Sequence, residues 1–118
     1  MLTKEEIEIL ESQGYLSLGK ILTDDQVKAI NDRIDALMLN EGGSAGSVFY
    51  THPRVLAGIG TVLGPSFKLS SLNYRASKPG LGHQNLHIDW GNKSVQGVYK
   101  VCNSIWLLDD FTENNGAT

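Results

Sequence analysis

Two residues carry the sharpest chemistry in this chain, His87 and Asp89 in the run Gln84-Asn85-Leu86-His87-Ile88-Asp89-Trp90. In an extended segment, residues two apart point to the same side, so imidazole and carboxylate converge on one volume. Such a pair suits a divalent first-row metal. With one further histidine it becomes the two-histidine, one-carboxylate arrangement of non-haem iron(II) sites, which leaves three positions open for co-substrate and oxygen. A 2-oxo acid can chelate such a metal through its carboxylate and keto oxygens. A bare His-x-Asp is nonetheless cheap, and as an isolated tripeptide it reads first as an ordinary polar pair on a strand.

The elements that must position this pair fall into two halves. Thr3-Lys4-Glu5-Glu6 has the spacing of a capping box, with Ile7 and Leu10 beginning an apolar stripe and Gly14 placed to end the helix. Residues 15–18 read as a short strand. Thr23-Asp24-Asp25-Gln26 repeats the capping signature, and its acidic residues favour the positive end of the helix dipole. Val27, Ile30, Ile34, Leu37 and Met38 follow at helical spacing. The Gly- and Ser-rich run 41–47 breaks the pattern as an internal loop. His52-Pro53 opens a further helix with Pro53 at its first position; Val55, Leu56, Ile59 and Leu63 form its buried side, and Gly64-Pro65 stops it.

From Phe67 the period changes to two. Phe67, Leu69, Ser71 and Asn73 share one face, and Lys68, Ser70, Leu72 and Tyr74 the other. Extended runs are expected again over 85–90 and 101–108, the latter with Cys102, Ser104, Trp106 and Leu108 on one face. Residues 109–116 form a polar turn. Helices followed by strands predict a helix-plus-sheet, α+β architecture rather than alternating β-α units. The 118 residues amount to a single domain, helical over about 1–64, with core strands and a metal loop over about 65–118.

Bulk properties narrow the partners. Hydrophobic content of 41% and charged content of 19% are ordinary for a globular chain. A net charge of -3 and a pI near 5.5 provide no basic footprint for nucleic acid. Polybasic membrane attachment is equally unsupported, no apolar run is long enough to span a bilayer, and residues 1–6 lack the apolar core of a signal peptide. The single cysteine, Cys102, excludes an internal disulfide and fits a reducing cytoplasm.

The run 78–90, Lys-Pro-Gly-Leu-Gly-His-Gln-Asn-Leu-His-Ile-Asp-Trp, resembles the metal loop of the phytanoyl-CoA dioxygenase family. In that family a Pro-Gly turn, a Gln and a His-x-Asp-Trp-like run lead into the site. Gly14-Tyr15-Leu16 with Leu22-Thr23-Asp24-Asp25-Gln26-Val27 is similar to the family's N-terminal strand and helix start. The run 106–118 is similar to its later strand and Asn-Gly turn. The resemblance spans essentially the whole chain in three blocks. It implies a double-stranded β-helix, or jelly-roll, core with N-terminal helices packed on one sheet. It also implies an iron(II)- and 2-oxoglutarate-dependent hydroxylase with His87 and Asp89 as metal ligands, acting on a small-molecule substrate and oxygen.

The match is incomplete at one end. Family members continue past the Asn-Gly turn to a Pro-Gly-Ser-His-like segment supplying a third ligand, and then to a basic residue that pairs with the far carboxylate of 2-oxoglutarate. The sequence ends at Thr118, before both, so the jelly roll is expected to be incomplete. The isolated chain is therefore expected to be inactive, and its alternative reading is an inactive fragment or binding module of the same fold. Open sheet edges would invite self-association. Among the other histidines, His52 reads better as a helix start and His83 as an exposed or supporting residue than as ligands. Asn73, Arg75 and Gln84 are candidates to contact 2-oxoglutarate or substrate. Trp90 reads equally as a wall of the site and as core packing, and Trp106 and Cys102 read as core.

Overall fold

The computed structural model describes residues 1–39, 48–76, 80, 81, 84, 85, 87–91, 95 and 97–115. The loop expected over 41–47, together with Lys78 and His83, lies outside these residues.

The helices form where local signals place them. Helix α1 spans Lys4–Gln13. Its capping box is complete: the Glu6 backbone N–H donates to Thr3 Oγ1 at 3.2 Å, and the Thr3 N–H donates to Glu6 Oε2 at 2.8 Å. Gly14, at φ 78, closes it in the left-handed conformation that a side chain would resist. Helix α2 spans Asp24–Leu39 and opens on the same reciprocal pair, with the Gln26 N–H donating to Thr23 Oγ1 at 3.2 Å and the Thr23 N–H to Gln26 Oε1 at 2.8 Å. A four-residue helix α3, Val48–Thr51, precedes α4, Pro53–Leu63. His52 caps α4 by accepting the Arg54 N–H on Nδ1 at 3.3 Å, and Pro53 follows at a position whose missing N–H costs nothing.

The helical half is joined by side chains. Glu6 serves twice, because its second carboxylate oxygen accepts a bond from Arg54 Nη2 at the start of α4. Leu22, Ile34, Phe49 and Val55 are the buried apolar residues among those described. Phe67, half-buried after α4, lies beside Gly60.

The jelly roll expected for the second half is not there. Among the described residues no sheet forms; the pairing identified is the isolated antiparallel bridge between Val95 and Val98, whose N–H donates to the Val95 carbonyl at 3.0 Å. Residues 15–18 are not a strand, and the runs over 67–74, 87–90 and 101–108 form no strand, with bends at Asp89 and Leu108. The reason is physical. A period-two pattern states that a segment would be half-buried if extended, but a strand exists only when a neighbour satisfies its N–H and C=O groups. Here Leu69, Leu72, Tyr74, Ile88, Tyr99, Ile105 and Leu107 stay exposed, with no second layer to cover them. The radius of gyration, 15.9 Å, exceeds the value of about 13.5 Å for a compact domain of this length.

Instead the last run is held on the helices through its side chains. Cys102, Trp106 and Leu108 are half-buried, while Asn103, Ile105 and Leu107 face outward. Trp106 meets Phe49 edge-on, ring centres 5.2 Å apart, and lies 6.0 Å from the His52 ring. Asn31 Nδ2 of α2 donates to the Leu108 carbonyl at 3.3 Å. No helix among the described residues is long and apolar enough to cross a membrane.

Candidate metal centre

His87 and Asp89 do converge. His87 Nε2 stands 3.4 Å from Asp89 Oδ1. Each partner is held from behind. His87 Nδ1 lies 2.8 Å from the Asn85 carbonyl oxygen. A carbonyl can only accept, so Nδ1 carries the proton of that bond, and the ring is turned with Nε2 toward Asp89. Asp89 Oδ2 accepts a bond from Asn103 Nδ2 on the extended run 98–111, leaving Oδ1 to face the imidazole.

Nε2 and Oδ1 face one another across a gap that a cation can bridge. A proton alone makes a poor bridge, since 3.4 Å exceeds the usual N–H···O range of about 2.7–3.2 Å. Ligands about 2.1 Å from a metal and at right angles to each other stand about 3.0 Å apart. The observed separation is a few tenths wider than that, so the donor pair fits a divalent first-row ion with little adjustment. The side chains are 55% and 51% exposed. At that exposure an ion pair contributes little to folding, so stability does not account for the arrangement.

Beside the pair lies an open groove of about 320 Å³, within the size range of small-molecule sites. Asp89 and Asn103 line it together with Trp90, Val98, Tyr99 and Lys100. Apolar side chains dominate the lining, and Lys100 is its cation among the described residues.

No protein-family model, curated protein or solved structure matches this chain. The site therefore rests on its own geometry.

The structure does not bring the remaining candidates to the pair. Asn73 is exposed and donates to Ser71 Oγ at 3.4 Å. Arg75 and Gln84 are exposed and are not among the groove's lining residues. His52 is engaged as the cap of α4 against Trp106. Among the described residues no group of three His, Cys, Asp or Glu side chains stands ready to enclose a metal. Cys102, half-buried beside the helices, has its thiol pushed above the ordinary value by burial, which disfavours the thiolate a metal would need.

Three residues escape a reading of the sequence: Asn103, Lys100 and Tyr99. Asn103 is 14 residues from Asp89. Its one local signal is alternation, which sets it on the face opposite Cys102 and Trp106, and alternation does not say which other run that face meets.

Proposed function

We propose that the chain carries the first two ligands of an iron(II) site in a 2-oxoglutarate-dependent oxygenase of the phytanoyl-CoA dioxygenase type. The observation behind this reading is the convergence of His87 Nε2 and Asp89 Oδ1 at 3.4 Å, with the imidazole's other nitrogen held on the Asn85 carbonyl. Iron(II) held there supplies oxidative decarboxylation of 2-oxoglutarate coupled to hydroxylation of a substrate carbon, provided open coordination positions remain.

The chain's own part is to hold and orient. His87 offers Nε2 on a ring oriented by the bond from Nδ1 to the Asn85 carbonyl, the usual arrangement of a metal-bound imidazole. Asp89 supplies the negative charge. The apolar wall formed by Trp90, Val98 and Tyr99 suits the hydrocarbon part of a small substrate, and Lys100 suits a carboxylate at the groove's edge. Oxygen and a small molecule are the partners of this reading. A reducing cytoplasm is its compartment, where iron(II) and the free Cys102 both persist.

A second reading is favoured by the absence of a third ligand at the pair among the described residues: a metal-binding module without turnover. Two protein ligands hold iron loosely, and a second copy of the chain, associating through the unpaired extended runs, is one source of a third.

The experiment combines the pure chain with iron(II), 2-oxoglutarate and oxygen, and follows metal retention and succinate. Metal retention that disappears in Asp89→Ala, without succinate, fits the two-ligand site and the module reading. Succinate from the isolated chain overturns the module reading. Metal-dependent turnover that survives Asp89→Ala overturns the ligand assignment.

A further inference from the structure

We infer that Asn103 is a positioning residue that confines Asp89 to one-oxygen metal binding; this rests on the metal reading of His87 and Asp89. The Asp89 carboxylate is half-exposed and sits at a bend outside any strand. Nothing in the backbone there stops it from turning, since the terminal torsion of an aspartate is soft and broadly populated. Two side-chain contacts define its orientation, Oδ1 toward His87 Nε2 and Oδ2 toward Asn103 Nδ2, with the groove on its flank.

The Asn103 bond sets which oxygen is free. A carboxylate accepts and cannot donate, so the asparagine must present its amide nitrogen, and that N–H occupies Oδ2. Oδ1 is then the oxygen left to meet a cation shared with His87. A carboxylate with both oxygens free can chelate through both and fill a second coordination position. One whose far oxygen is tied to an amide binds through one atom and leaves that position open. Hydrogen bonds to the outer atoms of metal ligands commonly change affinity about 10–100-fold when removed. Asn103 also ties the loop carrying the pair to the run 98–111, which the helices hold through Trp106 and Leu108. The ligand is thereby referenced to the folded half of the chain.

The test is a cobalt(II) titration of the full 118-residue chain, followed by calorimetry and by visible absorption, with the thermal midpoint of the metal-free protein measured alongside. Asn103→Leu keeps the shape and removes the donor; Asn103→Gln keeps a donor. Expected are a loss of affinity of about 10-fold or more in Asn103→Leu, recovery to within about threefold in Asn103→Gln, and a midpoint nearly unchanged in both, since the side chain is exposed. In an Asp89→Ala background, Asn103→Leu should have no further effect on affinity. Affinity within twofold of wild type in Asn103→Leu, with binding still abolished by His87→Ala and Asp89→Ala, overturns the positioning role alone. A midpoint that falls in parallel with affinity also overturns it, assigning the bond to folding. Wild-type protein that binds no cobalt, or binds it equally without His87, overturns the metal reading and this inference with it.

Discussion

Trp106 meets Phe49 edge-on at 5.2 Å and 67°, and this contact fastens the extended C-terminal run to the helical half. Phe49 is among the four buried apolar residues of the described part, so the contact sits at the edge of a small core. With no sheet among the described residues to tie the run down, the ring pair and the Asn31 bond to the Leu108 carbonyl take over a ladder's task.

Phe49→Ala should therefore cost about 3 kcal/mol in urea unfolding, as for other buried phenylalanine truncations. Trp106→Ala should cost less, because the indole is half-buried. The double variant should reveal a coupling of about 1 kcal/mol, the scale of an aromatic pair beyond its buried area. Strict additivity would show that the two rings do not share a contact.

Thr3 and Thr23 open α1 and α2 with the same exchange of bonds. Thr3→Ala and Thr23→Ala should each lower stability by about 1 kcal/mol. Far-ultraviolet circular dichroism during thermal unfolding checks this. Unchanged midpoints would mean that the caps are fully replaced by water.

These caps were legible because they are local: four consecutive residues contain both partners of each bond. The same holds for Gly14 and for His52-Pro53. The jelly roll failed for the opposite reason. The alternation in 67–74 and 101–108 is present in the sequence, but of the face predicted over 101–108 Cys102, Trp106 and Leu108 are half-buried while Ser104 is exposed. Alternation cannot name the neighbour that makes a segment a strand, and the described residues provide none. The site divides along the same line. His87 and Asp89 are two residues apart and were legible; Asn103 meets Asp89 across 14 residues and was not.

Acid should weaken the α1–α4 junction through Glu6. The bond from the Thr3 N–H and then the Arg54 guanidinium hold the Glu6 carboxyl below its ordinary value. A carboxyl that is more acidic when folded binds fewer protons in the native than in the unfolded state between the two values, so stability rises with pH across that window. The contribution is complete above the unfolded value and is lost as pH falls through the folded one. Glu6→Gln should flatten this acid limb while leaving the neutral plateau independent of pH. An unaltered acid limb in the variant would assign the effect to other carboxylates.

Cys102 should react slowly. Burial raises its thiol above the ordinary value, so little thiolate is present near neutrality. Disulfide-exchange reagents should modify it more slowly than a free cysteine at pH 7.5, with the rate climbing through alkaline pH and the difference vanishing in denaturant. A rate equal to that of the unfolded chain at neutral pH would show that the run 98–111 leaves the helices readily.

The central claim is that His87 and Asp89 together hold a divalent metal, and oxygen-free titration with iron(II) tests it most directly. The account predicts one iron per binding site in the wild type, with affinity falling at least about tenfold in either His87→Ala or Asp89→Ala, and no larger loss in the double variant than its shared site allows. Equal iron affinity in wild type and both single variants would contradict it.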